Sequence, residues 1–182
     1  MTQPTFHDTA SYNVIYVFSV DVENHKGCLK IGKATVHTKK NADELPPNCD
    51  ELNEASMQRI KSYTNTVGIE PQLLYTEVAV KKVQTENGEK IVGFQDKHVH
   101  PILMHSKIQK KTFHGTTADE WFEVDLKTVK NAIKAVKNDK PTLTPDEISF
   151  EAPIIHLRDE QRDAIDMTLA RFKKKNEMLW NA

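Results

Sequence analysis

The chain has 182 residues, 38% of them hydrophobic and 28% charged, enough apolar surface for one self-supporting core with an appendage. Its formal net charge of −1 argues against a simple electrostatic clamp on nucleic acid, because phosphate neutralisation calls for a basic excess. Two cysteines, Cys28 and Cys49, form neither a disulfide framework nor a metal spacing. With no apolar leader and no long apolar run, they point to a cytoplasmic protein without a membrane partner. Charge can still be segregated: Lys107, Lys110 and Lys111 fall in one short run. Lys127, Lys130, Lys134 and Lys137 recur at helical spacing, which reads most simply as a solvated helix face.

In chain order, residues 1–13 are polar and are expected to be a flexible N-terminus. Val14-Ile15-Tyr16-Val17-Phe18-Ser19-Val20 is a continuous β-branched and aromatic run, the pattern of a buried strand. A polar turn over 21–27 leads to Cys28-Leu29-Lys30-Ile31-Gly32-Lys33, and the two runs predict an antiparallel hairpin. Residues 35–48, ending in Pro46 and Pro47, read as loop. Asp50 suits an N-cap, and after it Leu52, Ser56, Ile60 and Tyr63 recur at helical spacing. Residues 73–83 alternate as a strand and run to an Asn87-Gly88 turn. Helical spacing returns through Val99, Ile102 and Leu103, where Pro101 requires the helix to start late or kink, since proline beyond the first turn costs about 3 kcal/mol. Trp121-Phe122-Glu123-Val124 reads as a short closing strand. Asp125 then suits the cap of a helix with the stripe Leu126, Val129, Ile133 and Val136. Residues 138–153, with Pro141, Pro145 and Pro153, read as a linker, and a strongly helical segment from Leu157 to Lys175 follows.

The order strand, turn, strand, helix with an arginine, strand, helix with a carboxylate resembles the GIY-YIG nuclease superfamily. Val14-Ile15-Tyr16 stands where that family has Gly-Ile-Tyr, Lys30-Ile31-Gly32 where it has Tyr-Ile-Gly, and Arg59 lies in the first helix as the family's arginine does. Asp96, followed by Val99 and His100, resembles the Glu-x-x-Leu-His pattern of a phage-associated branch in which Lys-Ile-Gly is common. Glu120-Trp121-Phe122 matches that branch's closing Glu-Trp-Phe. The chain departs from the pattern at Val14, Lys30, Asp96 and Pro101. The resemblance implies an α/β fold, a small, mainly antiparallel sheet flanked by helices, over residues 14–137.

It also implies DNA as the partner and a divalent cation, Mg²⁺ or Mn²⁺, as cofactor. Phosphodiester hydrolysis needs an activated water, a cation beside the phosphate and a stabilised leaving oxygen, and a hard cation needs few protein ligands. By resemblance, Asp96 holds the metal, Tyr16 positions or deprotonates the water, and Arg59 braces the phosphate. Lys30 or Lys33 supplies the contact that the missing tyrosine hydroxyl would have made, with Lys33 and His100 among the DNA contacts. Simpler readings stand beside these. Tyr16 is by default a core aromatic, Arg59 an exposed helix residue, Asp96 an N-cap and Trp121 a core anchor. His98, His100, His105 and His114 would be the ligands if a zinc site were present.

Leu157-Arg158-Asp159-Glu160-Gln161 and the helix after it resemble the entry to a superfamily II helicase motor, where Gln161 would read the adenine of ATP in a longer protein. The chain stops where a phosphate loop would fall due. The expected organisation is therefore an N-terminal segment (1–13), a nuclease domain (14–137), a linker (138–153) and a helical stub of a truncated motor (154–182). The stub's stripe of Ile165, Leu169 and Phe172 lacks its normal partner, and the helix is expected to pack on the nuclease domain, to pair with a second copy as a homodimer, or to be mobile. The functional expectation is the DNA endonuclease part of a restriction or phage-defence nuclease–helicase. Its rival is a catalytically inactive module that targets a helicase to DNA.

Overall fold

The computed structural model describes residues 9–64, 68–86, 88–113, 120–149 and 159–172. Strand β1, Ala10–Val20, pairs antiparallel with β2, Cys28–Thr38, across a short turn at Glu23–His25. Helix α1, Asp50–Thr64, leads to β3, Pro71–Val78, which pairs with the other side of β1. A separate hairpin follows, β4 at Val80–Thr85 and β5 at Gly88–Gly93. Then come α2, Asp96–His105, the short strand β6, Trp121–Glu123, on the far side of β2, and α3, Leu126–Lys137. The sheet order is β3-β1-β2-β6, small and antiparallel.

Strand periodicity sorts the core into two layers. Val14, Tyr16 and Phe18 of β1 join Leu52 and Ile60 of α1. Ile15 and Val17, with Leu29 and Ile31 of β2, join Val99, Ile102 and Leu103 of α2 and Val129, Ile133 and Val136 of α3. The sheet is therefore buried on both faces, which is why residues 14–18 are apolar without alternation.

Residues outside the strands complete the backbone bonding of the edge strand β3 and of β2. Asn48, in the left-handed region at φ 61°, donates its N–H to the Thr76 carbonyl (3.0 Å) and accepts the Thr76 N–H on Oδ1 (2.8 Å). On β2, Ile31 donates its N–H to the Glu120 carbonyl, and its own carbonyl receives His100 Nε2 at 3.1 Å. A carbonyl only accepts, so Nε2 carries the proton.

Several boundaries differ from expectation. Residues 10–13 are strand, paired with 35–38, so β1 and β2 extend well beyond their apolar centres. The run expected as one strand over 73–83 breaks at Ala79, where the Ala79 N–H bonds the Asn13 carbonyl and the Ala79 carbonyl accepts the Phe94 N–H. Asp50 lies inside the first turn of α1; Cys49 precedes it, and its carbonyl accepts the Asn53 N–H, the first bond of the helix. Pro101 neither delays α2 nor ends it, since the helix runs from Asp96 through His105. Asp125 caps α3 as expected, accepting the Thr128 N–H.

The stretch expected as a linker from Asn138 is folded onto α3 as far as Ser149. Leu143 is buried in the core, Ile148 packs against it, and Ser149 Oγ donates to Asp125 at 2.6 Å. The α3 lysines are not all simply solvated: Lys130 sits 4.5 Å over the Tyr75 ring and Lys137 pairs with Glu77. The chain divides into two units, Met1–Phe150 and Glu151–Ala182. In the second, α4 spans Asp159–Phe172, with Ile165, Met167, Leu169 and Phe172 exposed. Among the described residues no helix is long and apolar enough to cross a membrane.

Candidate functional site

The sheet face beneath α1 is built in cross-strand rows. Thr76, Tyr16 and Gly32 form one row across β3, β1 and β2; Phe18, Lys30 and Trp121 form the next across β1, β2 and β6. Tyr16 lies flat over its partner. A Cβ at position 32 would stand 2.5 Å from the Tyr16 hydroxyl oxygen, so glycine is what allows the ring to rest on the strand backbone. The Tyr16 side chain is 2% exposed, and the contact fixes its hydroxyl over β2.

One row further along, α1 and β2 enclose an open cavity of about 540 Å³. It is lined by Lys33, Ala34 and Thr35 of β2 and by Ala55, Gln58, Arg59 and Ser62 of α1. The lining residues thus include two cationic ones and three with hydroxyl or amide groups, and no carboxylate. Such a surface favours an anion of phosphate type. The helix contribution could have been found in the sequence: Ala55, Gln58, Arg59 and Ser62 fall at i, i+3, i+4 and i+7, one polar face beside the apolar stripe. Gln58, Ser62 and Thr35 are not legible as site residues from the sequence, because neutral polar residues on a helix or strand carry no signal of their own.

The other expected site residues sit differently. Lys30 is on the face beneath α1, with its ammonium 3.4 Å from the Glu120 carboxylate. Asp96 opens α2, in the helix layer on the opposite side of the sheet from Tyr16 and Arg59; its Oδ1 accepts the Lys97 N–H at 2.9 Å. His100, expected as a DNA contact, is 8% exposed, packed against Phe122 and bonded to the Ile31 carbonyl. A ring bonded and packed in this way braces the sheet. His98 bonds the Gln95 backbone and His105 lies 3.1 Å from the Pro141 carbonyl, while His114 lies outside the described residues. Among the described residues no three His, Cys, Asp or Glu side chains gather as a metal cluster. Cys28 is buried, and burial pushes its thiol pKa up, so it is an inert core group. Gln161 falls in α4, and its side chain lies outside the described residues.

A small antiparallel sheet between helix layers, with a basic cavity of about 540 Å³ beside a clamped tyrosine, fits a nuclease-like or nucleic-acid-binding α/β domain. The chain belongs to the T5orf172 domain family, whose model matches residues 13–137. No curated protein and no solved structure matches it significantly.

Proposed function

We propose that this domain is a divalent-metal-dependent DNA endonuclease of GIY-YIG type. The observation that carries the reading is the carboxylate-free cavity lined by Lys33 and Arg59, one row from the Tyr16 hydroxyl on Gly32. Lys33 and Arg59 would neutralise the phosphate, and Arg59, charged at every working pH, would follow the charge that develops on it. Tyr16, fixed by Gly32, would orient the attacking water at its hydroxyl. Thr35, Gln58 and Ser62 offer hydrogen bonds to the non-reacting oxygens. By the resemblance Asp96 would hold Mg²⁺ or Mn²⁺, and it stands in the helix layer across the sheet from this cavity. In a longer protein the same domain would serve a restriction or phage-defence motor, with residues 154–182 at its start and Gln161 at the adenine of ATP.

A second reading, a DNA-targeting module without cleavage, is favoured by two observations: Asp96 stands in the opposite helix layer, and Lys30 is paired to Glu120. Supercoiled plasmid incubated with Mg²⁺ or Mn²⁺ separates the two. The nuclease reading expects nicking that falls about 100-fold or more in Tyr16→Phe and is lost in Asp96→Ala. In metal-free binding, Arg59→Ala should weaken DNA affinity across all sequences and reduce the salt slope by about 1. Binding without nicking would establish the targeting role, and nicking unchanged in Tyr16→Phe would remove the tyrosine from the chemistry.

A further inference from the structure

The Phe18–Lys30–Trp121 row carries a second, smaller pocket on the same sheet face. It is lined by Phe18 and Val20 of β1, His25 of the turn, Lys30 of β2, Thr64 and Ile69 at the far end of α1, and Trp121 of β6. Its free volume is about 90 Å³. A water needs about 10–15 Å³ by the same measure, so the pocket has room for roughly six to nine waters, or for one small flat ring system.

The walls are aromatic. His25 stacks on Phe113 with ring centroids 4.1 Å apart and meets Trp121 edge-on at 4.6 Å, and Trp121 meets Phe18 edge-on at 5.5 Å. One polar atom there is unsatisfied: His25 Nδ1 is buried without a hydrogen-bond partner among the described residues. An orphaned ring nitrogen of this kind is unfavourable unless something meets it. Burial also lowers the His25 pKa, so the ring is neutral near pH 7 and keeps one donor and one acceptor nitrogen. Lys30 adds a cation at the wall. An ordinary aliphatic occupant would leave the ring nitrogen unanswered, whereas a flat heterocycle with a polar edge answers it.

Position supplies the rest of the argument. Lys30 and Gly32 are two residues apart on one strand face, about 7 Å, and the basic cavity begins at Ala34, two residues further. The aromatic pocket, the tyrosine and the phosphate-type cavity thus lie in file along β2.

We propose that the Phe18–His25–Lys30–Trp121 pocket receives a nucleobase unstacked from the strand whose phosphate occupies the Lys33–Arg59 cavity. This rests on the phosphate-binding reading of that cavity. It adds that the substrate is recognised where a base leaves its stack easily, at a mismatch or in a single strand.

The test uses the full chain without divalent metal, so that nothing is cut, and a set of duplexes in which one mismatch is walked along the sequence. A matching set carries an abasic site at each of the same positions. Both lesions remove the cost of unpairing, but only the mismatch presents a base. Wild type should prefer the mismatch over the abasic duplex by about 10-fold at one position, since stacking a base on aromatic side chains is worth about 1–3 kcal/mol. His25→Ala, in an exposed turn and apart from the proposed chemistry, should lose that preference while remaining sensitive to Arg59→Ala. Equal binding of the two sets by wild type, or an unchanged preference in His25→Ala, would overturn the base pocket while a persisting Arg59→Ala effect left the phosphate cavity intact. Loss of the Arg59→Ala effect as well would remove both.

Discussion

Gly32→Ala places a methyl where the Tyr16 hydroxyl now lies, 2.5 Å from it, so either the ring or the strand must move. Overpacking of this kind costs about 1–3 kcal/mol. If the tyrosine is the obstacle, the cost of Gly32→Ala should shrink in a Tyr16→Ala background. A double-mutant cycle by urea unfolding should return a coupling of about 1 kcal/mol or more between the two positions, whereas additive effects would show that β2 itself resists the methyl. At this scale the sequence was informative about Tyr16 and Gly32 as partners in two motifs, because each sits in a strongly patterned run. It was uninformative about His100. A histidine two residues from another histidine looks like a ligand or a contact, and nothing local tells that its ring completes the backbone bonding of Ile31.

The clearest helix signal was Asp125, and the structure shows why it reads so well. Its carboxylate accepts the Thr128 N–H, the Thr128 hydroxyl and the Ser149 hydroxyl, so one residue starts α3 and ties down the segment that follows it. Burial alone would raise its pKa, but the hydrogen bonds from Ser149 and Thr128 outweigh that and leave it below the ordinary carboxylate value. Its contribution is therefore complete above pH of about 3.9, the unfolded value, and fades as pH falls through the lower folded value. Asp125→Ala should cost about 1–2 kcal/mol at neutral pH by urea unfolding. The difference from wild type should narrow only in strong acid, and narrowing already at pH 5 would contradict the hydrogen-bonded cap. Strand ends were less legible. Ser11, Asn13, Thr35 and His37 are polar or partly exposed, so only the buried middle of the β1–β2 pair announces itself, and the backbone pairing carries it outward to Ala10 and Thr38. Prolines misled for a related reason. Pro145 opens a single helical turn in an ordered segment, and the apolar residues near it, Leu143 and Ile148, carried more information than the prolines did.

At the scale of the molecule, that segment decides where the first unit ends. Truncation after Phe150 follows the division of the chain and should leave the melting temperature of the first unit within about 2 °C. Truncation after Lys140 removes Leu143, Ile148 and the Ser149 bond to Asp125, and should lower it by about 10 °C, since about 1 kcal/mol shifts a domain of this size by roughly 2–8 °C. Equal melting of the two truncations would return the stretch from Asn138 to the status of a spacer. The near-neutral charge that argued against a DNA clamp is consistent with the basic cavity once location is considered, because Lys33 and Arg59 line one cavity while carboxylates such as Glu51 and Glu77 pair with lysines elsewhere. Asn48 has a consequence of another kind. Its backbone N–H and its side-chain Oδ1 together occupy the carbonyl and N–H of Thr76 on the border strand β3. A strand from another copy that tried to lie along this border would first have to evict a residue anchored in its own fold. Copy-to-copy growth of the sheet, the usual beginning of a fibre, is therefore obstructed on the β3 side by a residue that has nothing to do with catalysis.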